Sequence, residues 1–342
     1  MREIFYVGGY EGQTKLCLYS YAYNRTDASD VGTIEELNAY EIQNSSYLCF
    51  SPNQQFIYAV SEAGDGKVAS FAVEGEGKLR FLNEKSTGGS PCHLSVSKDG
   101  KSLYAANYGG GSNAFFELLP SGEIGDRKVL VEHKNFGKPS KFVPDRQQAP
   151  HAHFILPVDM NGSPVTWTCD LGLDTVFVLD ENGKEVNRFA TPPGFGPRHL
   201  AFHPTLPLAY VLGELSCTVL SVDFNMKSSA PLRTLNNDVF STSAAIRVAP
   251  GGKFLLTSNR SDGEGSISVF SLSSEGNIEK LLDVVPCGYL SPRDFIFNTT
   301  GDRVFVANQE SSKVSIFNWS KDGKLTRIKL ELDVQRPTCV LF

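Results

Sequence analysis

Arg198-His199-Leu200-Ala201-Phe202-His203-Pro204, followed after a polar turn by Ala209-Tyr210-Val211-Leu212, is one copy of a phrase that recurs along the whole chain. Other copies are Ser46-Tyr47-Leu48-Cys49-Phe50-Ser51-Pro52, Cys92-His93-Leu94-Ser95-Val96-Ser97, Ala244-Ala245-Ile246-Arg247-Val248-Ala249-Pro250 and Arg293-Asp294-Phe295-Ile296-Phe297. Two weaker copies complete the set: His153-Phe154-Ile155-Leu156-Pro157, whose register admits a shift of one residue, and the C-terminal Thr338-Cys339-Val340-Leu341-Phe342. Anchored on Leu48, Leu94, Ile155, Leu200, Ile246, Phe295 and Val340, the copies lie 46, 61, 45, 46, 49 and 45 residues apart. A repeat of that length, made of short strands with period-two alternation, is one four-stranded blade.

A second strand follows each anchor, as in Phe56-Ile57-Tyr58-Ala59-Val60 and Val304-Phe305-Val306-Ala307, and a third recurs as Ser266-Ile267-Ser268-Val269-Phe270. Their β-branched and aromatic content and the Asp-Gly turns at Asp99-Gly100 and Asp322-Gly323 are strand and hairpin chemistry. No long 3.6-period segment interrupts them. The chain ends on an anchor strand with nothing after it and begins with a second-type strand, Ile4-Phe5-Tyr6-Val7. These observations predict an all-β, seven-bladed β-propeller whose ring closes with one C-terminal and three N-terminal strands in the same blade. Residues 1–342 are expected to form a single propeller domain, with an inserted loop at about 121–150 accounting for the 61-residue spacing.

Composition narrows the partners. Among 342 residues, 32 are Lys or Arg and 38 Asp or Glu, a net charge of −6 with the basic residues scattered, so neither nucleic acid nor an anionic lipid surface is expected as a partner. No apolar run approaches the ~20 residues of a membrane helix. The first nine residues read as a strand instead of a secretory signal, and the seven cysteines form no CxxC pair, so buried reduced thiols in a cytoplasmic protein are expected. No cofactor-binding motif or zinc-ligand spacing is present. Oligomeric state is not legible in the chain.

Antiparallel pairing brings the start of each innermost strand beside the end of the second, so those registers should converge on one mouth of the channel. The register gathers His153, Arg198, Arg293, Glu214, Glu62, Arg260, Asp170, Asn107, Asn259 and Asn308, with His93, His151 and His199 adjacent. Strand-end Asp and Asn also cap turns, which is the competing role for Asp170, Asn107, Asn259 and Asn308. His203 and His133 are expected to be structural or solvated. Three arginines beside a histidine and two glutamates call for an anionic ligand.

The chain resembles the seven-bladed propeller lactonases, a family that includes propeller-type 6-phosphogluconolactonases and carboxy-muconate cyclases. The resemblance runs over essentially the whole chain. It rests on Tyr6-Val7-Gly8-Gly9-Tyr10, Gly89-Ser90-Pro91-Cys92-His93-Leu94, Ala105-Ala106-Asn107-Tyr108-Gly109-Gly110-Gly111, Pro150-His151-Ala152-His153, Cys169-Asp170-Leu171-Gly172, Gly196-Pro197-Arg198-His199, Leu212-Gly213-Glu214-Leu215-Ser216, Ser258-Asn259-Arg260 and Ser291-Pro292-Arg293-Asp294-Phe295. It implies a metal-independent lactone hydrolase, 6-phosphogluconolactonase foremost, acting in the pentose phosphate pathway on a small anionic lactone. The implied catalytic set is His153, Arg198, Glu214 and Arg260, with His151 the rival for the histidine role. Substrate contacts are expected from His151, Arg293, His199, His93, Asn107 and Glu62, with Arg293 as a phosphate anchor. Three alternatives stay open: Ca²⁺ held by Glu62, Asp170, Glu214 and Asn259, a cyclase using the same residues, and a non-catalytic binding propeller.

Overall fold

In the outermost strand Leu325–Asp333, Thr326, Arg327, Lys329, Glu331 and Asp333 face solvent while Leu325, Ile328, Leu330 and Leu332 turn inward. The strand two places further in, Arg303–Asn308, is buried at every residue. This gradient, polar alternation outside and continuous apolar burial inside, is repeated from sheet to sheet and is what a stack of packed sheets requires. The structure is a computed structural model describing residues 1–160, 162–236 and 240–342.

Among the described residues there are seven four-stranded sheets, six of them running in simple chain order. The remaining sheet has the order Pro337–Leu341, Arg2–Gly9, Leu16–Asn24, Thr33–Glu41, one C-terminal and three N-terminal strands as expected. The strands of this closing sheet pair antiparallel, with Tyr6 opposite Leu341 and Val7 opposite Val340. Hairpins turn where the sequence places Asp-Gly: Gly323 sits at φ +87°, and a Cβ there would lie 2.4 Å from the Phe254 ring.

The described residues group into two compact units, one made of 42–198 and the other of 1–41 with 199–342. In the first, the sheets starting at Leu48, Pro91 and Ala152 pack through Tyr58, Leu94 and Phe116 and through Phe115, Ile155 and Phe177. In the second, the Phe5, Phe305 and Phe342 rings pack with centroids 4.8–5.2 Å apart where the closing sheet meets its neighbour. A polar clasp joins the same two sheets: buried Arg25 binds both carboxylate oxygens of Asp302 at 2.6 and 2.7 Å, and Asn298 donates to Glu3.

The stretch 121–150 corrects one expectation. Ile124–Glu132 is the outermost strand of its sheet and His133–Asn135 a short 3₁₀ turn, so irregular structure is confined to the turn at 121–123 and to 136–151. Outer strands carry polar residues on one face, which is why composition alone reads this one as loop. The seven cysteines form no disulfide, and burial pushes the thiols of Cys49, Cys169 and Cys287 up.

Candidate active site

The innermost strands do not run straight into the site register. Pro91 pairs with Asn107 but His93 with Ala106, leaving Cys92 as an extra residue; Ala152 pairs with Asp170 but Phe154 with Cys169, leaving His153. The same irregularity singles out Arg293, between Pro292 and Asp294, and Thr338, between Pro337 and Cys339. These are β-bulges, which bend a strand and re-aim the extra side chain. They fall on the position two before each anchor.

In unit 42–198 the bulges bring Cys92 Sγ to 3.7 Å from His153 Nδ1, and His153 stands edge-on to Tyr108 with ring centroids 5.4 Å apart. His151, one residue outside the strand, stacks flat on Tyr108 at 4.3 Å. Its Nδ1 lies 3.0 Å from the Tyr108 carbonyl oxygen. A carbonyl only accepts, so Nδ1 carries a proton, and in the neutral ring Nε2 then holds the lone pair. That Nε2 is buried and meets no hydrogen-bond partner among the described residues.

Asp170 stands where Asn107 stands in the preceding sheet, and it is fully buried. One oxygen accepts the backbone N–H groups of His151 and Leu173, each at 2.9 Å, and the other faces His133 Nδ1 at 2.7 Å. His133 is buried, with its other nitrogen 2.7 Å from Asn113 Oδ1. Gln147 was not singled out by sequence reasoning; it is fully buried and donates to the Leu171 carbonyl. No local pattern marks a glutamine in an irregular stretch as buried.

Two residues expected to contact substrate already have protein partners. His93 is packed between the Tyr47 and Phe154 rings at 4.2 and 4.1 Å, and its Nδ1 accepts the Ile155 N–H, because the residue after the bulge turns into the packing. The Asn107 amide donates to Thr87 O and Ser112 Oγ, and Asn259 and Asn308 likewise donate to serine hydroxyls of their own sheets. Each asparagine ties its second strand to the third. Glu62, half-buried, follows its strand and has its backbone clasped by Asn44. Arg198 is 2% exposed, a permanent charge held away from water.

In the other unit, Glu214 follows strand Leu208–Gly213 and its buried carboxylate lies 3.1 Å from Arg260 Nη2, which also donates to Ser243 O. Arg293 donates to the Tyr10 hydroxyl at 2.7 Å with its guanidinium 5.1 Å from that ring, and Arg336 lies 5.5 Å from the same ring. His199 is buried in strand Pro197–Phe202. His203 caps a turn, its Nδ1 accepting the Leu206 N–H. Of the oxygen ligands weighed for Ca²⁺, Asp170 is engaged by three donors, Asn259 by serines and Glu214 by a guanidinium. Among the described residues no three His, Cys, Asp or Glu side chains are grouped to hold a metal ion.

A family model described as "Lactonase, 7-bladed beta-propeller" matches residues 4–342. A Bacillus subtilis protein named 6-phosphogluconolactonase is 30% identical over 359 residues, covering 100% of this chain and 98% of the relative. A Formosa agariphila protein of the same name is 32% identical over 330 residues, covering 90% of each. A solved structure from Bacteroides uniformis, provisionally named 6-phosphogluconolactonase, superposes with a TM-score of 0.89 at 26% identity, covering 99% of this chain and 98% of the other. The Pseudomonas aeruginosa periplasmic gluconolactonase shares the fold, with a TM-score of 0.89 at 24% identity and coverage of 99% and 98%. Among the described residues no helix is long and apolar enough to cross a membrane.

Proposed function

Because the chain belongs to the lactonase family of seven-bladed β-propellers, we propose that it hydrolyses a small anionic sugar lactone, 6-phosphogluconolactone in the first place, as the names of its relatives suggest. The observation that carries the reading is the buried Nε2 of His151, which meets no hydrogen-bond partner among the described residues, on a ring whose Nδ1 faces a carbonyl. In this reading His151 takes a proton from water as the water oxygen bonds to the lactone carbonyl carbon. Arg198, of the same unit, serves as donor to the oxyanion. Cleavage of the ring C–O bond follows, with the proton returned to the departing oxygen, giving a hydroxy acid.

His153, the histidine first implied by the family resemblance, gives way to His151 in this role because it is His151 whose buried Nε2 meets no hydrogen-bond partner among the described residues, while His153 Nδ1 lies 3.7 Å from Cys92 Sγ. The mechanism is metal-independent in this reading, since Asp170, Asn259 and Glu214 are already engaged. A cytoplasmic location, with no nucleic-acid or membrane partner, accords with seven unbridged thiols and the −6 net charge.

Hydrolysis of 6-phosphogluconolactone and of its unphosphorylated analogue, each corrected for spontaneous opening, tests the reading. His151→Gln should lower kcat/KM at least ~10²-fold. Arg293→Gln should raise KM for the phosphorylated lactone well beyond its effect on the analogue, through loss of a charge-assisted hydrogen bond. Turnover of neither lactone would refute the reading, and full activity in His151→Gln would remove that residue from it.

A further inference from the structure

The irregular segment 136–151 is fastened by more contacts than its composition suggests. Gln147 donates to Leu171 O, the Ser140 N–H donates to Gly172 O, and the Leu171 N–H donates to His151 O. Glycines grip its end from two sides: a Cβ on Gly172 would fall 1.8 Å from Ala149 O, and one on Gly111 2.7 Å from Pro150 O. These contacts already hold the segment against its sheet. Asp170 and His133 add something different, because the carboxylate binds the backbone N–H of His151 itself.

The sheet register shows what is unusual. At the end of the second strand three sheets carry asparagine (107, 259 and 308), whose amide donates to hydroxyls or carbonyls of its own sheet. Here an aspartate stands instead, and it must accept from three donors: two backbone N–H groups and the His133 imidazole. An asparagine offers one oxygen where two are used. His133 is in turn held at its other nitrogen by Asn113, with all three side chains fully buried.

We propose that Asp170 and His133 are positioning residues for His151: Asp170 fixes the backbone from which the imidazole projects, His133 fixes the carboxylate, and together they keep Nδ1 on the Tyr108 carbonyl and Nε2 as the base. The proposal rests on the reading of His151 as the base. Neither residue touches the reacting atoms. Their removal acts through the direction and tautomer of one ring, and small errors of placement are costly to rate.

The test uses the full-length protein with ¹⁵N-labelled histidine. Imidazole nitrogen shifts assign the tautomer of His151, independently of any substrate, and lactone kinetics are measured alongside. Wild type should show His151 in the Nδ1–H form. His133→Ala and Asp170→Ala should lose that preference and lower kcat at least ~10-fold with KM within ~2-fold. His133→Asn, whose side-chain nitrogen lies as many bonds from Cα as Nδ1, should restore the tautomer and bring kcat within ~3-fold of wild type. A merely structural role would lower Tm in the alanine variants while leaving the tautomer and kcat of the folded protein unchanged, and that result overturns the proposal. So does His133→Asn behaving no better than His133→Ala. If wild type opens no lactone, the lactonase reading falls, and the tautomer arm alone decides: loss of the Nδ1–H form in His133→Ala upholds positioning, and its persistence overturns it.

Discussion

Gly172→Ala is a one-methyl perturbation whose consequence can be worked from the geometry. The new Cβ would lie 1.8 Å from Ala149 O, 2.9 Å from Ala149 C and 3.2 Å from His151 N, all backbone atoms that cannot rotate aside. To reach the 3.4 Å of ordinary van der Waals contact, the oxygen must retreat by about 1.6 Å. Ala149 is two residues from His151, and the Leu171 N–H to His151 O bond of 3.0 Å ties the two chains at that point, so the displacement passes to the imidazole. A misplacement of ~1 Å at a reacting group costs on the order of 10²-fold in rate, about 2.7 kcal/mol of barrier. Overpacking should also cost ~1–3 kcal/mol of stability. The assay is kcat for lactone opening beside Tm, with Gly75→Ala as control, since a Cβ there meets nothing within 4 Å. Unchanged kcat and Tm would show that the close approach is not maintained in solution. A lowered Tm with unchanged kcat would show that the segment carries no catalytic group.

Three further outcomes are expected. Deleting Thr338 to Phe342 removes the edge partner of Arg2–Gly9 together with the buried Cys339 and Val340 and the Phe342 ring stacked on Phe5, so cooperative melting of soluble protein should be lost; an unchanged melting curve would contradict closure through that sheet. Glu214→Ala removes the carboxylate that faces Arg260 and, if the pair belongs to the catalytic set the family resemblance implies, should lower kcat/KM at least ~10²-fold with folding retained, as read by steady-state kinetics and near-UV circular dichroism; wild-type rates would remove the pair from that set. Although burial opposes ionisation of Asp302, hydrogen bonds from Arg25, Thr300 and Asn298 outweigh it and hold the carboxyl below the ordinary aspartate range. A lowered native pKa contributes stability that is present above the unfolded value of ~3.9 and is lost as pH falls through the native one. Arg25→Ala should therefore cost about 3 kcal/mol at pH 7 by denaturant unfolding, and its deficit relative to wild type should shrink below about pH 4; a deficit independent of pH would contradict the clasp.

Spacing and alternation alone, in the seven anchors from Leu48 to Val340, determined the blades, their inner strands, the C-terminal closing strand and the register of the polar residues. These are local or periodic properties: a strand reports its faces at every second residue, and a repeat reports its partners by its length. The bulges at Cys92, His153, Arg293 and Thr338 were not legible, because a bulge is a mismatch between two paired strands and exists only once the register of both is set. Nor was the outer strand Ile124–Glu132, whose polar face has the composition of a loop until its inward residues find a sheet. The sequence placed His151 beside His153 and could not choose between them; the choice depends on which ring nitrogen meets a carbonyl and which meets nothing. Asp170 and His133 are 37 residues apart, and only folding brings them within 2.7 Å of each other, behind the histidine they hold. A proton's position on an imidazole is set by neighbours in space, and the tertiary structure alone supplies them.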